Sequence, residues 1–106
     1  MLQKIDAKYY DDEHGNPAGG ITTGTGIQIE WQNGPLGRGP DRKEPTGAFV
    51  EGVIAAAIDR LEYYQRSWLN CRENSIAITK LEEALHWMHH RTLARERRGI
   101  EGTHAK

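Results

Sequence analysis

Arg91, Arg95 and Arg98 stand at i, i+4 and i+7, a spacing that carries three guanidinium groups to one face of a helix. Arginine forks match phosphate oxygens two at a time, so the stripe suits a compact, multiply charged anion such as a cyclic nucleotide. A solvated face that complements the helix dipole is the plain alternative. A second set joins aromatic faces to polar edges: Trp31, Tyr63, Tyr64, Trp68 and Trp87. Such faces stack on nucleobases, but Trp68 and Trp87 read first as hairpin core or subunit contacts. Tyr64 near a bend and Trp31 at a strand end are the better stacking candidates. His86 and His90, with Glu82 one turn back, share a helical face. They lack the HExxH order and a nearby cysteine pair, so a polar interface titrating near neutrality is the better reading than a metal site. Gly24-Thr25-Gly26 resembles a phosphate loop, yet no helix follows it and the dinucleotide-binding context is missing. Cys71 has no evident base partner, and no serine-nucleophile motif or rigidly held carboxylate pair stands out. The set favours a binder over a catalyst.

The elements that must position these residues are legible from periodicity. Asn70 to Gly99 reads as one long helix of roughly 42 Å. Asn70 and Glu73 have the form of a capping box, and Gly99 stands where a left-handed cap would follow Arg95, Arg97 and Arg98. Its apolar stripe is Ala77, Ile78, Leu81, Ala84, Leu85, Met88 and Thr92. Thr46 is placed to cap a preceding helix over 46–68, whose apolar face is Val50, Val53, Ile54, Ala57, Ile58, Leu61 and Tyr64. The interval Trp68 to Asn70 leaves room only for a tight reversal, so the pair should form an antiparallel hairpin.

The first 45 residues differ in kind. Ile27 to Gln32 alternates apolar and polar residues as a half-buried strand does, and Asn33-Gly34 closes it with a turn. A second strand is expected around Gln3 to Tyr9. Gly15 to Gly20 reads as turns, and Pro35 to Pro45 (PLGRGPDRKEP) reads as a basic loop carrying Arg38, Arg42 and Lys43. The expected fold is therefore α+β: a small antiparallel sheet followed by a long two-helix hairpin. It forms a single domain over 1–106, with sheet and loops in 1–45, helices in 46–68 and 70–99, and a short tail in 100–106.

Composition sets limits on partners. Formal net charge is -1 over 106 residues, against a protein that coats nucleic acid non-specifically. The local excess of arginine near the end suits a small anion better than a long polyanion. With 37% hydrophobic residues and a mean hydropathy of -0.75, the core is lean, and surface shared between subunits would help close it. A single cysteine, Cys71, rules out an internal disulfide and fits a reducing cytoplasm. Met1 to Asp12 has charges throughout and no apolar run of the signal-peptide kind.

The runs GTGIQIEWQNGPLGRG, EPTGAFVEGVIAAAIDRLEYYQ, CRENSIAITKLEEALHWMHHRT and RRGIEGTH together resemble one family. It is that of the phage Thoeris anti-defence proteins of the first-described type, whose hairpin is shared with phage anti-CBASS cyclic-nucleotide sponges. The resemblance covers about Gly24 to His104, and SIAITKLEEALHW is its most specific part. It implies a non-catalytic sponge without cofactor or bound metal. Such a sponge captures cyclic ADP-ribose isomers made by TIR-domain proteins in the cytoplasm of the infected bacterium, in some members also cyclic di- or trinucleotides at separate sites, and works as a dimer or hexamer. It further implies Asn74 for base or ribose contacts, Arg91 for the pyrophosphate, Arg38 as a closing residue, and Tyr64 or Trp31 for stacking. Arg95 and Arg98 are then candidates for a second nucleotide site. A signal-degrading enzyme and a structural or DNA-associated phage protein using the C-terminal arginines are the competing readings.

Overall fold

The alternation in Ile27-Gln28-Ile29-Glu30-Trp31 is realised as β3 (Ile27–Trp31), which pairs antiparallel with β2 (Pro17–Gly24). On the other side β2 pairs with β1 (Asp6–Asp11), giving a three-stranded sheet in the order β1-β2-β3. The structure, a computed structural model, describes residues 4–106. The strand expected at Gln3–Tyr9 is β1, displaced toward the chain's interior; Gln3 itself lies outside the described residues.

β2 was not legible as a strand. Pro17-Ala18-Gly19-Gly20 has the composition of a turn, and it becomes the central strand because aromatic partners supply what its own side chains lack. Register sets Gly20 opposite Tyr9 on one side and Trp31 on the other. Gly19 and Thr22 are the buried residues among those described. The Trp31 indole N–H donates to Thr22 Oγ1 at 2.7 Å, and the Tyr9 hydroxyl lies 3.4 Å from the same oxygen. The sheet is thus held around a hydroxyl rather than an aliphatic cluster.

After β3 the chain crosses the Gly/Pro-rich loop, with one 3₁₀ turn at Gly39–Asp41, and returns to the sheet. Ala48 forms a parallel bridge with Trp31: its N–H donates to the Glu30 carbonyl at 2.7 Å, and its carbonyl accepts from Gln32 N–H at 2.9 Å. Thr46 therefore does not cap a helix. Its N–H donates to the Gln32 side-chain oxygen at 2.7 Å, and the first long helix, α1 (Val50–Gln65), begins four residues later. Pairing with β3 satisfies the segment's backbone better than helix would, because Gly47 lets the chains close in. A Cβ at Gly47 would sit 2.6 Å from the backbone of Trp31.

The second helix, α2, spans Arg72–Arg97, and Gly99 at φ 73° provides the left-handed stop. The capping box at Asn70 does not form. The Asn70 side-chain amide turns back to the Ser67 carbonyl at 2.8 Å. The bracket belongs instead to Gln65, whose side chain accepts from Cys71 N–H at 3.0 Å and donates to the Cys71 carbonyl at 3.0 Å and Ser75 Oγ at 2.8 Å. One glutamine at the end of α1 thereby fixes the start of α2 and the hairpin's register.

Contacts divide the chain into two compact units: the sheet with its loops through Phe49 and the tail Arg98–Lys106, and the hairpin Val50–Arg97. The α+β architecture expected from the sequence is the one observed. Within the hairpin, half-buried positions on α1 are Glu51, Val53, Ile54, Ile58, Leu61, Tyr64 and Gln65. Those on α2 are Asn74, Ala77, Ile78, Leu81, Leu85, Met88, Thr92, Ala94 and Arg95. Each set contains a line of residues spaced by three and four, the seam of a two-helix pair. Neither helix has a buried residue.

Candidate functional site

α1 has 16 residues and α2 has 26, so at 1.5 Å per residue α2 is longer by roughly 15 Å. The excess falls at the C-terminal end of α2, since the other end is tied to α1 through Gln65. Arg91, Arg95 and Arg97 stand on this projecting segment, where the helix dipole adds partial negative charge that favours cations. Arg91 is exposed and, among the described residues, forms no ion pair. Arg95 is half-buried in line with the seam. Arg98 lies beyond the helix, and its guanidinium donates to a main-chain oxygen of Lys106 at 2.6 Å. The i, i+4, i+7 stripe is therefore two helical arginines plus a third that turns toward the tail.

At the opposite end of the hairpin sit Tyr64 in the last turn of α1 and Asn74 in the first turn of α2, both half-buried. Arg60 lies over both neighbouring rings, 4.8 Å from the centroid of Tyr64 and 5.1 Å from that of Tyr63. Its Nε also donates to the Tyr64 hydroxyl at 3.2 Å. This places a cation on the aromatic face named for stacking. Arg60 escaped the sequence reading, although its i, i+4 relation to Tyr64 was visible. Gln65 escaped it too, because its role depends on a turn geometry the sequence did not specify.

Seventeen positions separate Asn74 from Arg91 on one continuous helix, or roughly 26 Å along the axis. One mononucleotide-sized ligand does not touch both from a single chain. The hairpin brings Tyr64 and Asn74 together at one end, with Arg91 and Arg95 at the other.

Trp31 and Arg38 belong to the sheet unit. The Trp31 indole is half-buried and locked to Thr22, so its ring is a fixed wall of the sheet. Arg38 opens the 3₁₀ turn and is exposed. Its Nη1 is 3.5 Å from the carbonyl oxygen of Glu101. Arg42, beside it, pairs with the Glu101 carboxylate at 2.9 Å. Trp87 is two-thirds exposed on α2, with the imidazoles of His86 and His90 edge-on to it at 6.3 and 5.6 Å; it is not hairpin core. Trp68, at the bend, is 88% exposed and likewise packs in no core.

Residues 25–93, more than half of the chain, match the family model of the Acb2/Tad1 hairpin domain. The chain belongs to the Acb2/Tad1 hairpin family. The matched range runs from β3 through the loop and α1 to the projecting segment of α2, the part that carries Trp31, Arg38, Tyr64, Asn74 and Arg91. A protein of Bacillus phage SBSphiJ7 named Thoeris anti-defense 1 is 60% identical over 78 residues, which cover 74% of this chain and 52% of that protein. The chain thus spans about half the length of that Acb2/Tad1 relative. No described helix is long and apolar enough to cross a membrane.

Proposed function

We propose that this chain is a phage anti-Thoeris protein that acts as a non-catalytic sponge for cyclic nucleotide immune signals in the cytoplasm of the infected bacterium. The observation that carries the reading is the 60% identity, over three quarters of the chain, to a phage protein named for opposing Thoeris. The ligands are cyclic ADP-ribose isomers, and cyclic di- or trinucleotides of the CBASS kind are candidates for a second site at Arg95 and Arg98.

The separation of Asn74 from Arg91 supports a ligand held between subunits. With Tyr64 and Asn74 of one copy on the base and ribose and Arg91 of another on the pyrophosphate, a homodimer or hexamer encloses what one hairpin reaches only in part. Arg38 closes the site from the loop, and Tyr64, already under the Arg60 cation, or Trp31 supplies the stacking surface. The exposed apolar side chains of α2, Ile76, Trp87 and Leu93, are consistent with cover by further copies. Enclosure by two subunits slows release, and a slow release matters most for sequestration.

A thermal-shift screen against cyclic ADP-ribose isomers and cyclic di- and trinucleotides, with mass measured in solution, tests the proposal. The expected result is stabilisation by a cyclic ADP-ribose isomer that is recovered unchanged after heating. Recovery of a cleaved product overturns the sponge in favour of a degrading enzyme. DNA binding that survives moderate salt overturns it in favour of a nucleic-acid-associated role. In the same assay Arg91→Ala abolishes binding, about 100-fold or more in affinity for a lost charge-assisted fork, with melting temperature and mass unchanged. Retained binding places the phosphates elsewhere.

A further inference from the structure

The loop Pro35–Pro45 has three cations, Arg38, Arg42 and Lys43, and positive φ at Gly37 and Gly39. Such a loop has many conformations when free, and ordering it on a ligand costs conformational entropy. Here it is already ordered from outside. Gly37 N–H donates to the Gly102 carbonyl at 2.8 Å. Arg42 Nη1 bridges the Gly37 carbonyl at 3.3 Å and the Glu101 carboxylate at 2.9 Å, and Arg38 Nη1 reaches the Glu101 carbonyl. Inside the loop, Lys43 N–H closes on the Leu36 carbonyl at 2.7 Å.

The segment that supplies these contacts is itself braced. Thr103 bonds the Ile100 carbonyl through its hydroxyl and its N–H, and His104 lies 3.7 Å from Asp12 at the β1–β2 turn. Gly102 adopts φ 77°, and a Cβ there would collide with the Gly37 carbonyl. The short tail after Gly99 is thus tied at Asp12 and at the basic loop, both within its own unit.

We infer that Ile100–His104 is a strap that positions the basic loop for anion binding, with Glu101 and Gly102 as its positioning residues. The strap divides the loop's arginines. Arg42 is consumed by Glu101 and serves structure, while Arg38 is left, among the described residues, with no carboxylate partner and an exposed guanidinium to offer. The inference rests on the proposal that Arg38 meets ligand phosphate. It adds that a residue 63 positions away decides where that guanidinium stands.

The experiment combines amide hydrogen exchange at Gly37 and Lys43 with titration calorimetry against cyclic ADP-ribose isomers on the full chain. Glu101→Gln raises exchange at Gly37 and lowers affinity about tenfold, the loss of one charge-assisted bond, and Glu101→Asp restores part of both. Gly102→Ala does the same more strongly. Arg38→Ala lowers affinity with exchange at Gly37 unchanged. If Glu101→Gln and Gly102→Ala leave exchange and affinity as they were, the strap is overturned. If they raise exchange without touching affinity, the positioning role is overturned and the strap is only structural. If no isomer binds the unmodified protein, the functional reading fails instead, and exchange at Gly37 still decides the strap.

Discussion

In the sheet unit the one buried side chain among the described residues is Thr22, and what gathers on it is polar: the Trp31 indole N–H and the Tyr9 hydroxyl. In the hairpin the facing stripes are aliphatic, with Ile54, Ile58 and Leu61 against Ile78, Leu81 and Leu85, yet none of them is fully covered. The two units answer the same shortage of apolar residues in opposite ways. The sheet closes through directional bonds and tight backbone approaches, each of which tolerates little change. The hairpin closes through a graded, half-open seam whose single contacts contribute less and whose outer side stays available. The difference suits a division of labour in which the sheet and its loop hold a precise local geometry while the helices keep apolar surface exposed.

The sharpest way to break this contrast is at Gly47. Replacing it with alanine drives a Cβ into the Glu30–Trp31 backbone and threatens both Ala48 bonds to β3. Overpacking of this kind with lost backbone pairing costs about 3 kcal/mol. Hydrogen exchange should rise at Gln32 and Ala48 while Ser75 and the middle of α2 keep their protection. Equal loosening of both units would mean that they do not close by separate means.

The hairpin should yield more gently. Leu81→Ala removes a half-buried side chain from the seam, for about 1.5 kcal/mol against the larger values typical of fully buried leucines. Chemical denaturation checks it. A cost near that of a fully buried leucine would show that the seam is closed by other copies under the conditions of the measurement, so the experiment is repeated across protein concentration.

The same contrast explains what was legible in the sequence. Helix faces were readable because period 3.6 is written in residue type: Ile78, Leu81, Leu85 and Met88 fall where the spacing put them. Their ends were not. No helix starts at Thr46 or Asn70: Gln32 takes the Thr46 and Gly47 amides for the sheet, and Gln65 takes the Cys71 amide at the start of α2. β3 announced itself by alternation, whereas β2 carries three glycines and depends on Tyr9 and Trp31 across the register. At the candidate site, arginine spacing identified the face of Arg91 and Arg95, but nothing local could reveal that Arg98 turns to Lys106. Nor could it reveal that Glu101 reaches back 59 positions to Arg42. Local periodicity is inscribed in a sequence; a polar clasp between distant loops is not.

The smallest expected effect concerns the polar clasp at the far edge of the sheet. Asp12 caps its own turn, accepting from the N–H groups of His14 at 2.8 Å and Asn16 at 3.0 Å. Those bonds, first Asn16 and then His14, with a smaller contribution from the charge of His104, hold its carboxyl below the ordinary value of 3.8. Because the folded value lies below the unfolded one, the stabilisation is complete above about pH 4 and is lost as pH falls through the lowered value. Asp12→Asn keeps an oxygen for the turn but removes the titration, and the acid limb of an unfolding-against-pH curve should flatten slightly. Since the carboxylate is only half-buried and its partners are local turn amides, the change should be small beside that of Gly47→Ala. A steep acid limb that survives Asp12→Asn would locate the acid sensitivity in other carboxylates, with Glu101 beneath Arg42 the first to replace. A sheet unit held by directional bonds should betray itself there, while the hairpin's seam residues Ile54, Ile58, Leu61, Ile78, Leu81 and Leu85 carry no titrating group and should be indifferent over the same range.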